Sequence, residues 1–423
     1  MIKLIKKMSK NKIFFVFIFL IVILFPGTLY KTAQSESRAI LTAVAIDKSE
    51  DELEVTATVL TAGGGTKYSD NLQVVSAKGN SISNCFEKIS SNLGKTIGLA
   101  HAELIVLGDE IIKDNAYKYL NYFISTNNLT TNAVLVNSKI AKDILTIDKN
   151  NPVLANTTAK QIVQYDSQYH QSVQTNLDRF FLDYFSTSGL TMLPRLEIVE
   201  NGGENKGALD QSSQLLSQSS SNQGVEDGQS QENSSANSEE NNKQIQNNGK
   251  MVLLKKGVFV AELDGETSKM FYLLKNPKNK GTFEVTNVTD QFVKNGNIVL
   301  EVVRKNTIIK TDFVNNKPFV YFNIFLVLKL DEYVSSSESI NSIDSTQSKI
   351  TKEVKNKVEE KIKTNTAEIF EFCRENGLDM FGLYKKFNAY HNKQFEEFMK
   401  NRTFDDFLNE LNVSMDITIR GKI

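Results

Sequence analysis

The hydrophobic pattern of this chain switches repeatedly between a period of two and a helical period. Residues 39–46, AILTAVAI, followed by Asp47, form a run that is apolar but for Thr42, as expected of a buried strand. Leu53, Val55, Ala57 and Val59 then alternate strictly with polar neighbours, which predicts a half-buried strand paired with the first as a hairpin. A loop, TAGGGTK, follows at 61–67. From 73 to 112 the order is strand, helix, strand, helix start. Val74 and Val75 close a short β-prone run, and Gly79 and Asn80 make the turn. Ile82, Cys85, Phe86, Ile89 and Leu93 recur at helical spacing, with Gly94 suited to the position past a helix end. Leu104 to Leu107 is an apolar strand ended by Gly108, and Asp109 is placed to cap the helix that follows. That helix carries Ile112, Ala116, Tyr119, Leu120 and Phe123 on one face.

Further along, 132–137 (NAVLVN) predicts a strand and KIAKDIL a short helix. A longer helix is expected from about Thr158 to Phe185, with Ile162, Val163, Tyr169, Val173, Leu177, Phe180, Phe181 and Tyr184 on its apolar face. Residues 191–199, TMLPRLEIV, read as a strand entered through Pro194. Residues 201–250 are mainly Ser, Gln, Asn, Gly and Glu, too poor in large apolar groups to offset their ordering entropy, and predict a disordered linker. Order is expected again at Met251. Strands follow at 298–303 and at 319–328, where Val320, Phe322, Ile324, Leu326 and Leu328 alternate. Ile350, Val354, Val358, Ile362, Ile369 and Cys373 lie on one face of a long amphipathic helix. Glu353–Lys357 and Glu359–Lys363 are favourable pairs on its polar side. NVSMDITIRGKI closes as a strand.

The N-terminus sets the compartment. Five lysines, Lys3, Lys6, Lys7, Lys10 and Lys12, precede an unbroken apolar run from Ile13 to Phe25, and no charge appears until Lys31. Positive charge before an apolar segment holds the N-terminus in the cytoplasm and sends the rest across the membrane. The run approaches spanning length when extended to Tyr30, and its Pro26-Gly27 break also fits a signal peptide. Lys31 makes the cleavage site near Ala33 a poor one, which favours an uncleaved anchor. Ile13, Phe17, Leu20, Leu24 and Tyr30 are the expected anchor residues.

The expected class is α+β (mixed α/β): several small mixed β-sheets with packed helices, multi-domain, behind an N-terminal membrane segment. The expected divisions are 1–33, membrane anchor or signal; 34–200, an N-terminal α/β region; 201–250, a linker; 251–335, a β-rich middle domain; and 336–423, a C-terminal helix-strand domain. A sheet shared by the last two is the alternative.

A formal net charge of -1 over 423 residues supplies no basic stripe for nucleic acid. Cys85 and Cys373 both sit in helix-like apolar patterns and read as buried small hydrophobes rather than a disulfide. Gly63-Gly64-Gly65-Thr66-Lys67 lacks the spacing of a phosphate loop. His101, His170 and His391 lack metal-ligand spacing. There is no nucleophile elbow and no separable catalytic carboxylate pair, so no enzyme activity, metal or cofactor is expected.

Four regions carry a family resemblance. The first holds Ser76, Ala77, Gly79, Phe86, Gly94, His101 and Gly108. The second is the Pro194 segment. The third holds Gly257, Val258, Phe259, Leu263, Gly265, Glu266 and Thr267, and the fourth Asp379, Phe381, Gly382 and Phe387 ahead of the last strand. In this order and spacing the chain resembles the Ger(x)C family, the lipoprotein-type C subunits of spore germinant receptors. It departs from that pattern in lacking a lipobox cysteine and a tryptophan after Phe387, and in its long 201–250 stretch. The resemblance implies a non-catalytic, extracytoplasmic subunit at the spore inner membrane. Its implied partners are an integral membrane A-type subunit and a transporter-like B-type subunit, and its implied role is assembly and signal coupling in the response to nutrients. Lys95, His101, Glu103 and Gly108 are the expected partner surface, with His101 read as a hydrogen-bonded residue at a strand entrance. The alternative is a membrane-tethered solute- or surface-binding protein unrelated to germination. An envelope hydrolase would need a nucleophile and base that the sequence does not offer.

Overall fold

In a computed structural model, the structure describes residue 19 and residues 38–49, 52–61, 72–125, 131–147, 152–168, 172–200, 243–275, 281–288, 296–334 and 350–421. The expected anchor residues Ile13, Phe17, Leu20, Leu24 and Tyr30, most of the 61–67 loop and residues 201–242 lie outside the described residues. Among those described, no helix is long and apolar enough to cross a membrane.

A seven-stranded mixed sheet organises the N-terminal module. β1 (Arg38–Ser49) and β2 (Glu52–Thr61) pair as the expected antiparallel hairpin, and β3 (Leu72–Gly79) adds to β2. β3 thus continues past Val75 to Gly79, because Ser76–Lys78 still have a partner in β2. On its other side β1 runs parallel to β4 (Thr96–Gly98) and β5 (Leu104–Gly108). β5 pairs with β6 (Val134–Ser138), and β7 (Thr175–Asn176) closes the edge. The apolar run of β1 serves both faces: Val44 and Ile46 enter one core, Ala43 and Ala45 another. Against the first face pack α1 (Ile82–Leu93), α2 (Asp109–Asp114), α3 (Ala116–Ser125) and α6 (Leu177–Tyr184). Against the second pack α4 (Ala141–Thr146) and α5 (Pro152–Gln168).

Several local expectations change. The helix after Gly108 is two helices, broken at Asn115, whose φ of 171° and ψ of 107° leave the helical region. The break is made by a distant turn: the Ala116 amide donates to the Gly257 carbonyl at 2.7 Å, and the Tyr117 amide donates to Asn115 Oδ1 at 2.9 Å. Asp109 is the first residue of α2 rather than its cap, because an ion pair takes its carboxylate elsewhere; Gly108 stands at the cap position. The stretch from Thr158 to Phe185 is not one helix. α5 ends at Gln168, and β7 precedes α6. TMLPRLEIV is likewise two strands, β8 (Leu190–Pro194) and β9 (Glu197–Glu200), in different sheets.

Residues 243–250, expected to belong to the linker, hold structure. β10 (Lys243–Gln246) pairs antiparallel with β9 and buries Ile245. β11 (Met251–Lys255) then lies between β8 and β12 (Val258–Leu263) in a three-stranded sheet, followed by α7 (Gly265–Lys275).

The C-terminal module is a four-stranded sheet in the order β13 (Thr282–Val288), β14 (Gly296–Val314), β15 (Lys317–Val334), β16 (Asn412–Gly421). Residues from both sides of position 335 therefore share one sheet, and β16 runs parallel to β15. β14 runs on to Val314, well past the expected 298–303, because β15 pairs with it along its whole length. Val320, Phe322, Ile324, Leu326 and Leu328 all point into the core, as their alternation predicts. α8 (Lys352–Glu375) lays Val354, Val358, Ile362, Ile369 and Cys373 on that core. Ile350 precedes its Thr351 cap and is only half-buried. The Glu359–Lys363 pair forms at 2.6 Å, whereas Lys357 reaches Glu360 rather than Glu353. α9 (Leu383–Tyr390), α10 (Asn392–Met399) and α11 (Phe404–Glu410) complete the module. Cys85 and Cys373 are both free and buried.

Candidate partner interface

The Lys95–Glu103 face is built by the end of α1. Ser81 caps that helix by accepting from the Asn84 amide at 3.1 Å, and Ile82, Cys85, Phe86 and Ile89 are buried beneath it. After Gly94, Lys95 is half-buried and leads into β4, whose Thr96 pairs with Arg38 at the very start of β1. Leu99 and Ala102 tuck into the core and leave Ala100, His101 and Glu103 exposed. The backbone of Glu103 is held between strands: its amide donates to Thr42 and its carbonyl accepts from Val134. Its side chain projects outward to Lys160 of α5, 2.7 Å away.

The four residues of the expected surface separate. Lys95, His101 and Glu103 cluster at the end of the sheet where β1 begins. His101 is exposed in a turn, and no ring hydrogen bond is found for it among the described residues. Gly108 is buried at the far end of β5 and belongs to no surface: a Cβ there would lie 2.4 Å from Asp47 Oδ1.

At that far end, polar residues from the ends of three neighbouring strands meet. Asp47 accepts from the amides of Ala141 and Lys142, both at 2.8 Å, and so tethers the start of α4. Burial pushes its pKa up, against the pull of those two bonds. Arg195 makes a two-pronged pair with Asp109, 3.0 Å on each prong, and donates to Asn137 Oδ1 at 2.8 Å. Asn137 Nδ2 in turn donates to the Leu107 carbonyl and to Asp109. Glu262 of β12 lies 3.4 Å from Arg195. This cluster holds strands and helices in register, because its carboxylates are engaged by protein groups. Sequence reading passed over it. The available signal was the polar residue that follows the apolar run of each of three strands: Asp47 after Ile46, Asp109 after Gly108 and Asn137 after Val136.

The C-terminal motif also builds structure. Asp379 is buried and accepts from the amides of Leu383 and Tyr384, each at 2.8 Å, so it caps α9. Burial holds its carboxyl above the usual range. Phe381 stacks on Phe370 with centroids 5.1 Å apart, and Phe387 meets Phe407 edge-on at 5.5 Å. Lys275 Nζ donates to the Met380 carbonyl at 2.7 Å, joining α7 to this motif.

Fold and site together define a two-module mixed α/β protein with several small sheets. Its motif residues mostly secure the cores. Comparison with known proteins gives the class a family. Residues 32–198 match the spore germination protein N-terminal domain, and residues 248–422 match the spore germination B3/GerAC-like C-terminal domain. The crystal structure of the GerBC protein superposes with a TM-score of 0.51, covering 90% of this chain and 97% of that one at 14% identity, a likeness of fold. YfkR of Bacillus subtilis (strain 168), named for spore germination, is 28% identical over 120 residues, which span 26% of this chain and 31% of that relative. The chain belongs to the Ger(x)C family of spore germination proteins.

Proposed function

We propose that this protein is the C subunit of a nutrient germinant receptor, tethered to the extracytoplasmic side of the spore inner membrane by its own N-terminal segment. It acts by contact and signal coupling rather than by bond-making. The match of both halves to spore germination domains supports the reading. The Ger(x)C family is part of germinant receptor complexes, and the proposed partners are an integral membrane A-type subunit and a transporter-like B-type subunit. The observation that carries the partner surface is its position: Thr96 pairs with Arg38, the first described residue after the apolar segment. A face at that end of the sheet stands where a membrane-embedded partner can reach it. Lys95, His101 and Glu103 supply charge and hydrogen-bonding capacity there.

Co-purification tests this. Glu103→Lys should weaken association with the A-type and B-type subunits at unchanged yield. Full recovery of both subunits would remove this face from the interface. Intact-mass analysis should find the N-terminal segment retained and no lipid adduct; a diacylglycerol adduct or a form starting near Ala33 would overturn self-anchoring.

A further inference from the structure

The sheet β8–β11–β12 lies between two hydrophobic cores and belongs to both. Met251, Val252, Leu253 and Leu254 of β11 are all fully buried. A strand sends successive side chains to opposite faces, and here each face meets a different module. Met251 and Leu253 pack in the C-terminal core with α7 and α8, while Val252 and Leu254 pack in the N-terminal core with α2 and α6. β8 repeats the division: Leu190 and Met192 join the first, Leu193 the second.

The hairpin tip divides in the same way. Lys255 Nζ donates to the Gly377 carbonyl at 2.8 Å and lies 5.5 Å from the Phe404 ring, both in the C-terminal module. Lys256 Nζ donates to the carbonyls of Tyr184 and Ser186, at 2.8 and 3.1 Å, in the N-terminal module. Gly257 then fills the gap that breaks α2 from α3. Its φ is +78°, and a Cβ would lie 2.4 Å from Asn115 Oδ1.

We propose that this three-stranded sheet is a conformational relay, which passes a displacement of the N-terminal module into the C-terminal core. A close-packed strand cannot shift toward one core without opening a void in the other. Packed elements of this kind move between discrete arrangements rather than deforming smoothly. The relay deepens the receptor-subunit reading and takes its purpose from it. Its test reads the coupling alone, whereas partner co-purification reads the receptor assignment.

Hydrogen exchange on the full chain in mild detergent tests the relay. Leu254→Ala removes contacts only on the N-terminal face. It should raise exchange at least about tenfold in β15 and α8 of the C-terminal module as well as in β5. Leu135→Ala, in the N-terminal core but off the shared sheet, should affect β15 much less. Faster exchange confined to the N-terminal module in Leu254→Ala would overturn the proposal. Where that variant does not fold, exchange of the unmodified protein in rising denaturant decides. Convergence of β5 and β15 on one opening event supports the relay, and separate openings overturn it.

Discussion

Replacing Arg195 by Met tests whether the buried polar cluster holds the N-terminal module together. The substitution keeps most of the aliphatic volume and removes the guanidinium. Lost with it are two bonds to Asp109 at 3.0 Å, one to Asn137 Oδ1 at 2.8 Å, and the ion pairs to Glu262 at 3.4 Å and Glu197 at 3.8 Å. The Arg195 and Asp109 side chains are only 13% and 20% exposed, so Asp109 would be left largely buried without its main cation. Breaking a buried pair on one side costs about 3–5 kcal/mol; the residual exposure places this one near the lower figure, about 3 kcal/mol. Asp109→Asn with Arg195→Met removes both charges and should recover part of that, leaving a coupling energy of about 1.5–3 kcal/mol in a double-mutant cycle. Urea unfolding followed by circular dichroism measures each variant. The loss should barely change between low and high salt, since ions screen this pair poorly. A cost below about 1 kcal/mol, or strict additivity in the cycle, would refute the reasoning.

Burial holds the Asp166 carboxyl up at about 7, and one of its oxygens has no partner among the described residues. An unfolded carboxylate titrates near pH 4, so its stabilising contribution is full below about pH 4 and is lost as pH rises through about 7. Asp166→Asn should flatten that slope and exceed the unmodified protein in stability at about pH 8, by up to about 4 kcal/mol; an unchanged slope in urea midpoints would count against it. Gly257→Ala should destabilise by about 1–3 kcal/mol, seen as a lower denaturation midpoint, through both its positive φ and its contact with Asn115. Glu103→Lys should leave the midpoint within about 0.5 kcal/mol, since the pair with Lys160 is exposed; a larger loss would mean that this residue serves the fold.

The sequence by itself determined many of the local elements and the family. A period of two in β15 and a helical period in α1 and α8 reflect burial on one face, which any one-dimensional pattern records, whereas β2, expected to be half-buried, has Thr56 and Thr58 fully buried as well because helices cover both faces of its sheet. The motif order gave the Ger(x)C membership, since it survives as spacing along the chain. Only the tertiary structure decided the rest. The break at Asn115 exists because a turn from residue 257 meets it. The β10 strand, buried in a polar stretch, exists because β9 supplies its hydrogen bonds. Asp109 looks like a helix cap until Arg195, 86 residues on, takes its carboxylate. Gly108 looks like part of a surface until Asp47 is seen against it. β11 reads as one short apolar run, and nothing in its composition says that its two faces feed two cores. Each of these rests on contacts between residues far apart in the chain, and such contacts leave no periodic trace in either partner's own neighbourhood.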